Sequence, residues 1–183
     1  MKKIAVITGL SLLLISGAIF GMLVHAGLFY KPEVKVEETG PFTLVYVEHT
    51  GDYSNAWKYQ DEVYKKLIAE FNIKTTKGFG IYYDDPAKVE KSELRSELGC
   101  ILEGEDIKKA QLVEGKFKVK TLNAEKSVVS GHPFTNPFSV ILGIMKVYPL
   151  LGKKAAEEGL DAGFAMEIYD APAKATTYIF RGK

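Results

Sequence analysis

The sequence predicts an α+β fold: a duplicated β-α-β-β unit with antiparallel sheets, two helices and a central cleft, preceded by one transmembrane helix. Three observations predict it. An apolar run with almost no ionisable group opens the chain. The order strand, helix, strand, strand then occurs twice. A Tyr-Asp-x-Pro turn follows the same strand of each unit, Tyr83-Asp84-Asp85-Pro86 and Tyr169-Asp170-Ala171-Pro172, at an offset of 169 − 83 = 86 residues. Such turn chemistry recurs by chance when it stands alone. The shared element order around it makes it the mark of a repeat.

The opening run extends from Ile4 to Tyr30 behind Lys2 and Lys3, with His25 its only ionisable group besides Tyr30. About 20 apolar residues span a bilayer as a helix, and this run suffices with some tilt. The hydrophobic part of a secretory signal is shorter, about 7–15 residues. We therefore expect residues 1–30 to be an uncleaved anchor rather than a signal peptide cut near Val24-His25-Ala26. Gly17 and Gly21 have the small-xxx-small spacing of membrane helix contacts. Lys2 and Lys3 lie closer to the run than Lys31 and Lys35, which favours the domain on the extracytoplasmic side. Residues 31–41, charged and bounded by prolines, read as a juxtamembrane linker, and residues 42–183 as the domain.

Within the domain, residues 42–50 are β-branched and aromatic and predict a strand ended by Gly51 and Asp52. Ser54 or Asn55 caps a helix over about 55–71, with Trp57, Tyr64, Leu67, Ile68 and Phe71 at helical spacing. Residues 78–83 form a strand stopped by Asp84-Asp85-Pro86. In 96–103, Leu98, Cys100 and Leu102 alternate with Glu97, Ile101 and Glu103, a half-buried strand. Phe117 and Val119 mark a short strand. The second cycle has a strand at 125–132 and a helix from Pro137 to Tyr148. Pro149 can open a continuing turn that ends near Gly159. Strands at 164–169 and 175–180 complete it.

Composition sets limits on function. The anchor leaves roughly 150 residues, enough for one core. The net charge of +1 offers no basic face for nucleic acid. Cys100 is the single cysteine, so no internal disulfide forms, and its strand position reads as a small buried hydrophobe. His25, His49 and His132 lack ligand spacing, so no metal is expected, and no cofactor motif is present. Arg95 is expected to pair with Glu93 or Glu97, and Asp84 and Asp85 to cap their turn.

The stretch Gly80-Ile81-Tyr82-Tyr83-Asp84-Asp85-Pro86, followed by Glu93-Leu94-Arg95-Ser96-Glu97-Leu98-Gly99, resembles the GyrI-like family. That family includes the effector-binding domains of multidrug-responsive transcription activators and has a SOUL-like two-repeat fold. Thr50-Gly51-Asp52-Tyr53 and Met166-Glu167-Ile168-Tyr169 fit the same pattern. The resemblance covers about residues 40–183 and is closest to a membrane-anchored branch that includes a vertebrate endoplasmic-reticulum autophagy receptor. The acidic autophagy-binding tail of that receptor and the helix-turn-helix of the activators have no counterpart here, so neither role is carried over.

The resemblance implies a cleft in which the Glu of Glu-x-Tyr pairs with cationic, planar, lipophilic compounds, and Glu167 holds that position. Glu167, Tyr169 and Ala165 share one strand face. Tyr53 is a candidate for the cleft rim, Tyr83 is the repeat counterpart of Tyr169, and Tyr178 lies in the last strand. Trp57 joins the candidate ligand-binding residues, although core packing between helix and sheet is its plainer role. Three functions follow: a tethered binding module for a small lipophilic ligand, a protein-interaction module using the same domain, or a hydrolase of strained electrophiles with Glu167 as general base. We expect no cofactor, and a binding role over an enzymatic one.

Overall fold

The computed structural model describes residues 2–182. Helix α1 (Lys2–His25) is followed by strands β1 (Val34–Thr39) and β2 (Phe42–Thr50), helix α2 (Ala56–Phe71), and strands β3 (Lys77–Tyr82) and β4 (Arg95–Leu102). A 3-10 run leads into the short α3 (Ala110–Val113). Then come β5 (Lys118–Leu122), β6 (Glu125–Pro133), α4 (Pro137–Glu157), β7 (Ala162–Asp170) and β8 (Ala175–Gly182).

The strands form one eight-stranded antiparallel sheet in the order β1-β6-β8-β7-β3-β4-β2-β5. That order reads as two halves related by a pseudo-twofold axis between β3 and β7. Each half is a β-α-β-β unit, β2-α2-β3-β4 and β6-α4-β7-β8, with one added edge strand, as the repeat predicted.

The two faces of the sheet are covered differently. On one, α2 places Val63 and Leu67 over Val45, Cys100 and Leu102. On the same side α4 places Val147, Leu151 and Ala155 over Val128 and Tyr178. The opposite face carries Leu44, Tyr46, Phe79, Ile81, Ile101, Val129, Met166, Ile168 and Ile179, a cluster that includes no helix residue. These side chains bury one another because the sheet curls around them. Fully burying Phe79, Ile81 or Met166 there contributes about 1.5–3 kcal/mol each.

Several sequence expectations change. The expected linker 31–41 contains β1, whose Val36 pairs with Val128 of β6; Val34 and Val36 alternate with Lys35 and Glu37, and the apolar pair packs on the α4 cluster. β4 is buried on both faces rather than half-buried, because α2 covers one side and the curled sheet the other. Helix α4 is continuous through Pro149, which is exposed, so its ring lies on the outer side of the helix. Arg95 pairs with Asp84 at 2.7 Å across the β3–β4 connection, while Glu97 pairs with Lys120 of β5. Asp85 caps its turn as expected, accepting from the Ala87 amide at 2.9 Å.

The repeat equivalence also moves by one residue. Gly80 pairs with Glu167, a difference of 167 − 80 = 87, and Ile81 with Met166, a difference of 166 − 81 = 85. Every opposed pair of this ladder differs by an odd number. A twofold axis through the ladder therefore relates residues at an odd offset; an offset of 86 would send equivalent side chains to opposite faces. The structural counterpart of Tyr169 is Tyr82, not Tyr83.

Candidate functional site

The site lies on the helix side of the sheet, over the β3–β7 ladder and between α2 and α4. β3 presents Gly78 and Gly80 there, opposite Tyr169 and Glu167 of β7. The missing side chains open the floor. Over Gly80 lies the Tyr82 ring, whose hydroxyl would stand 2.6 Å from a β-carbon at that position.

Glu167 is 2% exposed. Its Oε1 accepts a hydrogen bond from the Tyr148 hydroxyl of α4 at 2.6 Å, and its Oε2 accepts one from the Tyr169 hydroxyl. Tyr82 interacts with Tyr169, and Tyr178 is the cross-strand partner of Glu167 on β8. The carboxylate thus sits among four tyrosines. Burial pushes its pKa above the ordinary glutamate value, and the bonds from Tyr148 and Tyr169 oppose that shift without cancelling it. Burial, then the Glu167 charge, holds Tyr82, Tyr148 and Tyr178 above the usual phenol range. Among the described residues, no Lys, Arg or His forms an ion pair with Glu167.

A groove of about 430 Å³ lies beside this cluster, with Tyr169 in its wall. Gly78 and Cys100 form its floor, Gln60 and Tyr64 of α2 one side, and Phe134 and Pro172 the other. Phe134 stacks on Tyr169 with ring centroids 5.5 Å apart. In the first half Tyr53 meets Tyr82 at 4.8 Å, the same arrangement seen from the pseudo-twofold partner.

The structure gathers Glu167, Tyr169 and Tyr178 as the sequence suggested, and puts Tyr53 at the edge through its contact with Tyr82. The Tyr53 hydroxyl is engaged outside the cleft, donating to the Arg95 carbonyl at 2.8 Å. Tyr83 is on the opposite face, packed on Phe164 and the curled-sheet cluster. Trp57 is neither in the core nor in the cleft: it is 62% exposed, because the buried stripe of α2 runs through Ala56, Val63 and Leu67. Two cleft residues escape the sequence reading. Tyr82 is hidden by the one-residue displacement of the turn motif. Tyr148 sits in an apolar helix where only the helical phase distinguishes the cleft side. Among the described residues no group of three His, Cys, Asp or Glu side chains is placed to hold a metal ion.

A family model described as the GyrI-like small molecule binding domain matches residues 32–178. Testis-expressed protein 264 homolog of Mus musculus is 29% identical over 163 residues, 84% of this chain and 47% of that protein. Testis-expressed protein 264 of Homo sapiens is 29% identical over 184 residues, 91% of this chain and 53% of that protein. The chain spans about half the length of the curated relatives it matches. Among solved structures, the EcmrR C-terminal domain superposes with a TM-score of 0.56 at 14% identity, covering 82% of this chain and 96% of that one. SAV2435 bound to tetraphenylphosphonium gives 0.53 at 15% identity, covering 82% and 94%. These structural likenesses establish the fold. With the family model matching both repeats, the chain belongs to the GyrI-like small molecule binding domain family.

Proposed function

We propose that this chain is a membrane-anchored receptor for a small lipophilic cation, which enters the cleft between α2 and α4 and pairs with Glu167. The observation that carries the proposal is the buried Glu167 carboxylate, held by tyrosine hydroxyls and without an ion-pair partner among the described residues. A buried anion is costly unless a cation neutralises it. The rings of Tyr82, Tyr148, Tyr169 and Tyr178 surround that charge and add cation–π attraction for a guest. Binding of tetraphenylphosphonium by the similar protein SAV2435 supports the choice of cation to test.

Charge recognition suits the site better than proton abstraction. Each carboxylate oxygen already accepts a hydrogen bond from a tyrosine hydroxyl, which competes with a substrate proton for the same oxygens. Helix α1 supplies the anchor in this proposal. Residues Ile7–His25 form an apolar stretch of mean hydropathy 2.2 with none of it buried, and 24 helical residues reach about 36 Å, enough to cross the hydrocarbon core.

The test is calorimetric titration of the full chain in micelles with tetraphenylphosphonium, wild type beside Glu167→Gln. Micelle partitioning is common to both, so saturable heat that weakens in the variant reports the cleft. Equal heats would sink the assignment of Glu167. Turnover of an electrophilic substrate, lost in the variant, would replace the receptor by a hydrolase.

A further inference from the structure

The two halves of the fold differ in one respect that their symmetry does not explain. Helix α2 carries six charged residues, Lys58, Asp61, Glu62, Lys65, Lys66 and Glu70, on a solvated exterior. Its counterpart α4 carries one charge between Pro137 and Gly152, Lys146. Yet its outer side is bare: Phe138 is 44% exposed, Ile141 54% and Met145 68%. These three lie at i, i+3 and i+7, one stripe of the helix, and Pro149 and Gly152 continue it uncharged and exposed.

The one charge is turned away from that stripe. Lys146 Nζ donates to the carbonyls of Gly27 at 2.9 Å and Tyr30 at 3.0 Å, and to that of Leu28. It thereby holds the turn that follows α1 against α4. Thr135 Oγ1, just before α4, donates to the His25 carbonyl at 3.1 Å. Ala26 is fully buried, and Tyr30 packs edge-on against His132 at 5.3 Å. The end of α1 is thus fixed to the N-terminal half of α4, beside the exposed stripe. Phe29, 69% exposed, extends the apolar surface on the α1 side.

We infer that the Phe138–Ile141–Met145 face of α4 rests on the lipid bilayer into which α1 inserts, an inference that rests on the anchor role proposed above for α1. A helix tied to the end of a membrane span stands at the interface. Apolar side chains on its outer face leave water when they meet the acyl boundary, and Lys153 beyond them suits the headgroup layer. On α2 the exposed Trp57 and Tyr64 are flanked by Lys58, Asp61 and Lys65 rather than by a charge-free stripe, so the domain lies on the membrane by one half only. Because Tyr148, which holds Glu167, is on the same helix, seating of α4 acts directly on one wall of the cleft.

The test uses the full chain reconstituted in phosphatidylcholine–phosphatidylglycerol vesicles. Single cysteines at Met145→Cys, at Leu112→Cys (native side chain 64% exposed, outside α4) and at Ile15→Cys in α1 carry an environment-sensitive fluorophore. Cys100 is buried and stays unlabelled. Doxyl lipids and aqueous iodide serve as quenchers. The expected result is several-fold stronger doxyl quenching at 145 than at 112, with iodide in the reverse order and doxyl quenching at 15. Quenching at 15 with position 145 open to iodide leaves the anchor standing and overturns the α4 contact. Absence of doxyl quenching at both 15 and 145 overturns the anchor and the contact together. Protection of 145 from both quenchers means a second protein copy covers the stripe and overturns the lipid assignment.

Discussion

At Gly143 helix α4 sits directly on the Tyr178 side chain of the sheet, and that contact is testable with one methyl group. A β-carbon there would stand 2.1 Å from the Tyr178 hydroxyl oxygen and 2.9 Å from its ring carbon Cζ. Tyr178 is 1% exposed, and its ring meets Tyr148 at 5.8 Å, so it cannot swing aside freely. Gly143→Ala must lift the helix or displace Tyr178, an overpacking cost of about 1–3 kcal/mol. The same change gains about 1 kcal/mol of helix propensity. At Gly152 of the same helix a β-carbon would meet no other atom within 4 Å, so Gly152→Ala collects the propensity gain alone. The two variants should therefore differ by about 1–3 kcal/mol, which for a chain of this size separates their melting temperatures by roughly 3–10 °C. Thermal unfolding of the full chain in micelles, followed by circular dichroism, makes the comparison. Adding Tyr178→Phe to Gly143→Ala should recover part of the loss, because it removes the nearest atom. Equal stabilisation by both alanines would refute the close seating of α4 on Tyr178.

Two further outcomes follow from the titratable groups. Burial raises the Glu167 pKa in the folded chain, so the stability gained by holding its proton is full below the ordinary glutamate range and is lost as pH rises through the raised value. The wild type should accordingly lose stability relative to Glu167→Gln between acidic and neutral pH, by about 1.4 kcal/mol for each tenfold weakening of acidity; a difference in melting temperature that does not change with pH contradicts this. The Cys100 thiol is 2% exposed and pushed up to about 12 by burial, so an aromatic disulfide reagent should modify it only after denaturation, and rapid reaction with the native chain would show that α2 does not cover β4.

The order of elements is legible because hydrophobic periodicity dominates in 42–50, 78–83, 125–132 and 137–148. Asn136 and Ser139 announce α4 as clearly as its apolar run does: the Asn136 side chain accepts from the Phe138 and Ser139 amides, and Ser139 Oγ accepts from the Asn136 amide. β1 is obscured because Lys35, Glu37 and Glu38 give an edge strand the composition of a linker, although the Val34–Val36 alternation is present. Glu167 and Tyr169 are found through a motif on the strand that carries them. Tyr82 and Tyr83 are adjacent, and only the ladder register decides which enters the cleft. Trp57 shows the same limit for helices, where a shift of one position in phase turns a core residue outward. Lys146 has no local signal, since its partners are carbonyls 116 residues or more away in sequence.

Whether Glu167 is a charge receptor for a lipophilic cation is tested most directly by calorimetric titration of the full chain with tetraphenylphosphonium. Saturable binding by the wild type, weakened in Glu167→Gln while both proteins remain folded, is the predicted result. Absence of binding by the folded wild type, or equal affinity in the two proteins, would contradict it.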